Sequence, residues 1–146
     1  MASILLIEDA IGYEDVVDYP LVRALRRRGY TVEVAMTGDE AMNKLEQHKF
    51  DGVILDIMMP HGDGEAINHA TPRMSVGKEV LRQLRRNERP SGTAKDVPVV
   101  VVSAVIDFVD VKDIVAMLGE NGARWFLSKP VKPSVIIGVL AEALRR

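Results

Sequence analysis

The chain of 146 residues has the length of one ordinary globular domain, and 47% of its residues are hydrophobic. Its formal net charge of −2 at pH 7 favours neither nucleic acid nor an anionic membrane as a partner. Because the chain contains no cysteine, disulfide bonds and zinc–thiolate sites are excluded. No apolar run is long enough to span a bilayer, and the N-terminus lacks the basic residues of a signal peptide, so we expect a cytoplasmic protein.

Short apolar runs alternate with helical patterns along the chain, which predicts parallel strands joined by crossover helices. Four of the five predicted strands are apolar almost throughout, as expected for a sheet that is covered on both faces. The second strand alternates apolar and polar residues, so we expect it at an edge of the sheet. The predicted strands are Ser3–Ile7, Thr31–Ala35, Val53–Asp56, Val97–Ser103 and Arg124–Leu127.

Five helices are predicted to follow these strands. Thr37, with Glu40 three residues later, is typical of a helix N-cap. The pattern predicts five βα units in a single domain over residues 1–146, with extended loops at about 10–19 and 61–75. The predicted helices are Pro20–Arg28, Gly38–Gln47, Val76–Asn87, a segment around Val111–Leu118, and the residues after Pro133.

Polar residues lie at the ends of four predicted strands. Glu8 and Asp9 end the first strand, Asp56 the third and Ser103 the fourth, while Lys129 follows the fifth. In a doubly wound sheet the first and third strands are neighbours, so the three carboxylates are expected to converge. Three such charges repel unless a cation holds them, and oxygen ligands favour Mg²⁺. On its strand alone Asp56 could equally begin a turn, but the whole set fits phosphoryl transfer to a carboxylate.

The chain resembles the receiver domain of two-component response regulators. The resemblance covers the whole chain and implies an α/β flavodoxin-like fold, with (βα)5 units and a five-stranded parallel sheet in the order 2-1-3-4-5. It implies that a histidine-kinase phosphohistidine donates a phosphoryl group to Asp56 in a Mg²⁺-dependent reaction that switches partner binding. The segments that carry it are Glu8-Asp9, Asp56-Ile57-Met58-Met59-Pro60 with Asp63-Gly64, Ser103-Ala104 and Lys129-Pro130.

The same resemblance implies a metal-ligand set. Asp9 and Asp56 would bind Mg²⁺ together with the backbone carbonyl of Met58, and Glu8 would act mainly through water. Mn²⁺ could substitute for Mg²⁺. The acidic pair is Glu-Asp where many receivers have Asp-Asp, a change that leaves two carboxylates in place.

The resemblance also implies the residues that respond to the phosphoryl group. Lys129 would pair with that group, and its peptide bond to Pro130 would be cis. Ser103, which replaces a commoner threonine, would follow the phosphoryl group and move together with the switch aromatic Phe126. Trp125 lies next to Phe126, so the alternation of a strand predicts a packing role for it on the opposite face.

The two extended loops are the largest departures from the family pattern. The first is about four residues longer than usual and the loop after Asp63-Gly64 about a dozen longer. We expect the second loop to restrict water at Asp56 and so to lengthen the phosphorylated lifetime. It contains His61 and His69, but their spacing matches no metal-ligand pattern, so we expect them to belong to a polar loop without a metal site.

The expected function is a stand-alone receiver without an output domain, because the chain ends where its fifth helix ends. It is not expected to be an enzyme beyond its own phosphorylation and dephosphorylation. Expected partners are a sensor histidine kinase or phosphotransfer protein and an unidentified downstream protein. Neither nucleic acid nor a membrane is an expected partner, and the chain should be a monomer or weak dimer.

Three alternatives belong to other functional classes. The first is a receiver-like interaction module that acts without phosphorylation. The second is a small aspartyl-phosphate phosphohydrolase, which would place a second Asp two residues after the nucleophile, where this chain has Met58. The third is a flavin carrier, but Glu8-Asp9 after the first strand would repel its phosphate.

Overall fold

The computed structural model of the chain describes residues 2–9, 16, 18–86, 92–104, 108–119 and 125–145. Most of the predicted loop at 10–19 therefore lies outside the described residues, as does Arg124. No helix in these ranges combines the length and apolar character needed to cross a bilayer. The strands are β1 (Ser3–Ile7), β2 (Thr31–Ala35), β3 (Gly52–Leu55), β4 (Val99–Ser103) and β5 (Trp125–Ser128). The helices are α1 (Pro20–Arg27), α2 (Gly38–Gln47), α3 (Val76–Arg86), α4 (Phe108–Gly119) and α5 (Pro133–Leu144).

The five strands form one parallel sheet in the order β2-β1-β3-β4-β5, which confirms the predicted doubly wound topology. The alternating strand β2 lies at an edge, as its pattern predicted. Ile7 pairs with Leu55 at the ends of β1 and β3, and Ser103 pairs with Ser128 at the ends of β4 and β5. The carboxyl ends of four strands therefore lie side by side.

The strand ends differ from the prediction by one or two residues. Strand β3 ends at Leu55, so Asp56 is the first residue after it and not its last. Strand β4 begins at Val99 and not at Val97, because Pro98 has no N–H to donate to a neighbouring strand. Strand β5 includes Ser128, which extends it to the residue before Lys129.

The core consists of two apolar layers, one on each face of the sheet. Leu5 and Ile7 belong to the layer that α2, α3 and α4 cover, whereas Ile4 and Leu6 belong to the layer that α1 and α5 cover. The same alternation places Phe126 against the first layer and Trp125 against the second. The predicted opposite orientation of these two aromatic residues is therefore confirmed.

Helix α2 begins with the predicted cap. The Thr37 hydroxyl accepts a hydrogen bond from the Glu40 backbone N–H at 3.1 Å. The Glu40 carboxylate in turn accepts one from the Met36 backbone N–H at 3.0 Å. The first bond satisfies a backbone donor that the first turn of a helix leaves without an intrahelical partner, and the second holds the residue before the cap.

Helix α3 begins in direct contact with the residues that follow β3. The Gly77 backbone N–H donates to the Ile57 carbonyl at 2.9 Å. A Cβ atom at position 77 would lie 2.4 Å from the Cα of Ile57 and 2.6 Å from the carbonyl oxygen of Asp56. Glycine at position 77 is therefore what lets α3 approach the Asp56-Ile57 peptide and fix the backbone beside the Asp56 side chain.

Replacing Gly77 with alanine is expected to destabilise the chain, because the added methyl group would meet backbone atoms that cannot rotate away. Overpacking of this kind costs about 1–3 kcal/mol. Gly138→Ala in α5 is the matched control, since no heavy atom lies within 4 Å of a Cβ at that position. The control should stabilise the chain by about 0.5–1 kcal/mol. Urea unfolding measures both; equal stability of the two variants would contradict this description of α3.

Candidate functional site

Backbone hydrogen bonds hold the strand ends that carry the polar residues. The Asp56 N–H donates to the Ile7 carbonyl, and the Glu8 N–H donates to the Ala35 carbonyl, both at 2.9 Å. The Lys129 N–H donates to the Ser103 carbonyl at 2.8 Å. Each functional side chain thus starts from a backbone position that the parallel sheet fixes.

Lys129 bridges two buried carboxylates. Its ammonium Nζ donates to Glu8 Oε2 and to Asp56 Oδ2, each at 2.9 Å. The Glu8 and Asp56 side chains are only 6% and 8% exposed, so their charges are largely removed from water. A single cation between them offsets both their repulsion and part of the cost of burying them.

The second carboxylate oxygen of Asp56 has neutral donors. The Ser103 hydroxyl, which is buried, donates to Asp56 Oδ1 at 3.0 Å, and the Met58 backbone N–H donates to the same atom at 3.1 Å. Lys129, Ser103 and the backbone after β3 therefore fix the direction of the Asp56 side chain. The sequence predicts Ser103 and Lys129 at the same sheet edge, and the structure brings both into contact with Asp56.

Burial changes the protonation behaviour of the cluster. The pKa of Glu8 is raised from its usual 4.5 to about 7: removal from water is the largest cause, the hydrogen bond from Lys129 opposes it, and the nearby Asp56 charge adds to it. Burial also lowers the pKa of Lys129, but its hydrogen bonds to Glu8 and Asp56 outweigh that effect and leave the pKa above its usual value. Lys129 therefore stays charged throughout the physiological pH range.

An apolar cavity of about 500 Å³ opens beside this cluster. It lies between α1, α5 and the sheet, so the carboxylates and the lysine have hydrocarbon on one side and water on the other. This setting explains why desolvation is the main cause of the Glu8 pKa shift. Its apolar walls include Leu6, Leu21, Ile54, Val102, Val131 and Ile136.

A third carboxylate, Asp9, completes an acidic cluster with Glu8 and Asp56. One carboxylate oxygen from each of the three residues lies within 4.8 Å of the other two. An all-oxygen donor set with two or more carboxylates is what Mg²⁺ prefers, so these residues fit the ion that the sequence analysis expected. The backbone carbonyl of Met58, which is the other expected metal ligand, stays a prediction. The backbone N–H of Met58 donates a hydrogen bond to Asp56 Oδ1.

Asp9 also has a partner that the sequence analysis missed. The guanidinium group of Arg73 donates to Asp9 Oδ2 and forms an ion pair with it. Arg73 belongs to a short 3-10 turn, Arg73–Ser75, at the end of the 61–75 loop. Because the path of a long loop does not follow from its sequence, no local pattern could have indicated this contact.

The structure places the remaining predicted residues as follows. The Lys129-Pro130 peptide bond is cis. Phe126 is half-buried on the α4 side of β5, and its role as a switch aromatic stays a prediction. His61 and His69, which the sequence analysis attributed to a polar loop, come together with Asp39 of α2 in a second cluster.

Comparison with known proteins gives one family. A family model described as "Response regulator receiver domain" matches residues 4–141. The transcriptional regulatory protein AfsQ1 of Streptomyces coelicolor is 30% identical over 146 residues, which are all of this chain and 52% of that protein. The response regulator MprA of Mycobacterium tuberculosis is 34% identical over 126 residues, 86% of this chain and 45% of that protein. The chain thus spans about half the length of these curated relatives.

Solved structures show the same fold. The receiver domain of the Francisella response regulator 1452 superposes with a TM-score of 0.70 at 19% identity, covering 100% of this chain and 98% of that one. A CheY-like response regulator receiver domain protein from Methanospirillum hungatei gives a TM-score of 0.69 at 22% identity, covering 99% and 94%. At sequence identities this low, the structural similarity establishes the fold and not the function.

Removing the Arg73 guanidinium is expected to strengthen Mg²⁺ binding, because the ion pair with Asp9 competes with any cation for that carboxylate. The Arg73 side chain is 56% exposed, so its ion pair contributes only about 0.5–1 kcal/mol. Arg73→Gln should therefore bind Mg²⁺ about two- to fivefold more tightly. Isothermal titration calorimetry measures the change.

The matched control for this measurement is Arg145→Gln. It removes the same charge from an exposed ion pair with Glu142 at the end of α5. Its Mg²⁺ affinity should equal that of the unmodified chain. Weaker Mg²⁺ binding in Arg73→Gln would contradict competition at Asp9.

Proposed function

The chain belongs to the response regulator receiver family of two-component signalling proteins, and on that premise we propose that Asp56 is its phosphoacceptor. The observation that carries the proposal is the arrangement around Asp56. Lys129 donates to one of its carboxylate oxygens and Ser103 to the other, while Glu8 and Asp9 lie beside it. A fixed carboxylate nucleophile with a charged donor and a hydroxyl donor is what phosphoryl transfer requires.

In the proposed reaction a carboxylate oxygen of Asp56 attacks the phosphorus atom of a phosphohistidine. A new O–P bond forms, the P–N bond breaks, and its electron pair leaves with the imidazole, which then takes up a proton. The product is an acyl phosphate. Lys129, now bonded to Asp56 Oδ2, would pair with an oxygen of the transferred group, and the Ser103 hydroxyl would donate to another.

Asp9 and Asp56 would hold Mg²⁺ directly, with the Met58 carbonyl as a third protein ligand and Glu8 bound through water. When bound, Mg²⁺ supplies positive charge that offsets the charge on the phosphoryl oxygens. The acidic cluster supports this proposal, because it offers three carboxylates in one place and the cation on Asp9, Arg73, belongs to an exposed ion pair that Mg²⁺ can replace. Arg73 would give up its contact with Asp9 when the ion binds.

Phosphorylation would act as a switch and not as a turnover reaction. Movement of Ser103 toward the phosphoryl group would open space on the α4 side of β5, where Phe126 packs. The surface formed by α4, β5 and α5 would then bind a downstream protein differently in the two states. A sensor histidine kinase or a phosphotransfer protein would supply the phosphoryl group.

The alternative functions lack comparable support. A phosphohydrolase would need a general acid two residues after Asp56, but Met58 occupies that position and its backbone N–H bonds Asp56. In an interaction module that works without phosphorylation, the cluster of Glu8, Asp9 and Asp56 would have no ligand to bind. That module is nevertheless the outcome that a failed phosphorylation experiment would favour.

Incubation with acetyl phosphate and Mg²⁺ should add the mass of one phosphoryl group to the chain. Hydroxylamine should remove it, because an acyl phosphate is an activated carboxyl group. Asp56→Asn should show no adduct, since the amide is not nucleophilic. Intact-protein mass spectrometry measures each state.

Asp63→Asn is the matched control, because Asp63 is an exposed carboxylate a few residues after Asp56. This variant should gain the phosphoryl group as the unmodified chain does. A hydroxylamine-labile adduct that persists in Asp56→Asn would show that another residue is the phosphoacceptor. The absence of any adduct from the folded chain would favour the module that acts without phosphorylation.

We also propose that the 61–75 loop slows hydrolysis of the phosphorylated state by restricting water at Asp56. Removing the loop is a poor test, because Ile67 is completely buried in the core. Arg73→Gln preserves the loop and alters its contact with the site. If that contact contributes about 1 kcal/mol to the barrier, hydrolysis should be about fivefold faster.

The hydrolysis rate is measured by following loss of the phosphoryl group after a chelator has removed Mg²⁺, because the contact between Arg73 and Asp9 forms without the ion and a change in metal affinity then does not contribute. Arg145→Gln again serves as the charge-matched control and should hydrolyse at the unmodified rate. A rate in Arg73→Gln that equals the control would contradict a shielding role for Arg73.

A further inference from the structure

A second cluster of metal-ligating side chains lies apart from the predicted Mg²⁺ ligands. It consists of Asp39, in the first turn of α2, and of His61 and His69 from the 61–75 loop; we call it the Asp39 cluster. One ligand atom from each of the three side chains lies within 4.8 Å of the other two. The two imidazole rings are stacked, with their centroids 4.2 Å apart and an angle of 15° between their planes.

The Asp39 carboxylate is buried, and one of its two oxygens has no hydrogen-bond partner in the part of the chain that the structure describes. Asp39 is 4% exposed, and its Oδ1 accepts a hydrogen bond from the Ile67 backbone N–H at 2.9 Å. Its Oδ2 is buried and has no hydrogen-bond partner among the described residues. A buried carboxylate oxygen is costly unless a donor or a cation binds it, so Oδ2 points to a ligand at this position.

Both histidines are oriented by the backbone of their own loop. His61 Nδ1 bonds the carbonyl of Gly62, and His69 Nε2 bonds the carbonyl of Gly64. A carbonyl accepts only from a protonated nitrogen, so in the neutral imidazole the other nitrogen of each ring keeps its lone pair. Metal-binding histidines in proteins are commonly held in this way, with one nitrogen on a carbonyl and the other free for the ion.

The loop backbone is fitted closely around the Asp39 carboxylate. Gly62 has φ +94°, and a Cβ atom there would lie 2.9 Å from Asp39 Oδ2. A Cβ atom at Gly64 would lie 3.3 Å from the same oxygen. The Asp39 N–H donates to the His61 carbonyl at 2.8 Å, which holds the loop against the start of α2. Backbone contacts therefore hold the loop and its two histidines close to Asp39.

We propose that Asp39, His61 and His69 bind one divalent transition-metal ion of the Zn²⁺ class. Two imidazole nitrogens and one carboxylate oxygen suit a borderline ion such as Zn²⁺ or Co²⁺, whereas Mg²⁺ prefers oxygen ligands. His69 is exposed, so the fourth coordination position faces water. The ion would tie the 61–75 loop to α2 and thereby fix the loop that carries Arg73.

Isothermal titration of the chain with Zn²⁺, in excess Mg²⁺ to occupy the acidic cluster, tests the proposal. We expect one saturable site per chain and a higher melting temperature in its presence. Loss of a direct ligand should cost more than the roughly 10- to 100-fold that loss of a ligand's hydrogen-bond partner costs. His61→Ala and His69→Ala should therefore each weaken Zn²⁺ binding more than about 100-fold.

Two control variants distinguish binding at the Asp39 cluster from binding elsewhere on the chain. His48→Ala removes the histidine that does not belong to the Asp39 cluster. His48 lies at the C-terminal end of α2, and this variant should bind Zn²⁺ normally. Asp56→Asn should also bind Zn²⁺ normally, because its carboxylate belongs to the acidic cluster. Circular dichroism establishes that each variant is folded, and the exposed His69 is the position least expected to affect folding.

Co²⁺ provides an independent readout, because its visible absorption reports the nitrogen and oxygen atoms around it. The spectrum should change on binding and should be lost in His69→Ala. The absence of saturable Zn²⁺ or Co²⁺ binding would overturn the proposal. Binding that survives both histidine substitutions, or that disappears in Asp56→Asn, would overturn it as well. None of these outcomes depends on whether Asp56 accepts a phosphoryl group.

Discussion

The site depends on the Lys129 ammonium held between the carboxylates of Glu8 and Asp56. Those carboxylates follow adjacent strands and are almost fully buried, so without a cation between them they would repel each other beside an apolar cavity. The lysine follows β5, at the edge of the sheet, and its two 2.9 Å hydrogen bonds reach across β4 to the ends of β1 and β3. The positive charge of Lys129 stabilises Glu8 and Asp56 in this structure, and a phosphoryl group on Asp56 would attract that same charge.

Much of the fold and of this cluster could be predicted from the sequence, for a physical reason. A parallel sheet brings the carboxyl ends of its strands to one edge, so a polar residue at the end of each apolar run has a known position. Glu8, Asp56, Ser103 and Lys129 are all of this kind, and the strand order confirms their common edge. The errors at strand ends are local, and the lack of an N–H in Pro98 accounts for the late start of β4.

The contacts of the 61–75 loop could not be predicted, because they join residues that no periodic pattern relates. His61 and His69 have no metal-ligand spacing in the sequence; only the folded loop places them beside Asp39, which α2 supplies. The contact between Arg73 and Asp9 likewise depends on the path of the whole loop. One long loop thus contacts a predicted Mg²⁺ ligand at one end and forms a second candidate metal site at the other.

The proposed mechanism requires Lys129 to leave the Asp56 carboxylate for a phosphoryl group attached to it. A crystal structure of the chain with Mg²⁺ and beryllofluoride, which mimics that group, tests this claim most directly. We expect beryllium bonded to an Asp56 carboxylate oxygen, with Lys129 Nζ and Ser103 Oγ each donating to its fluorine atoms. A structure in which Asp56 carries no beryllofluoride, or in which Lys129 still bridges Glu8 and Asp56 after it binds, would contradict the account.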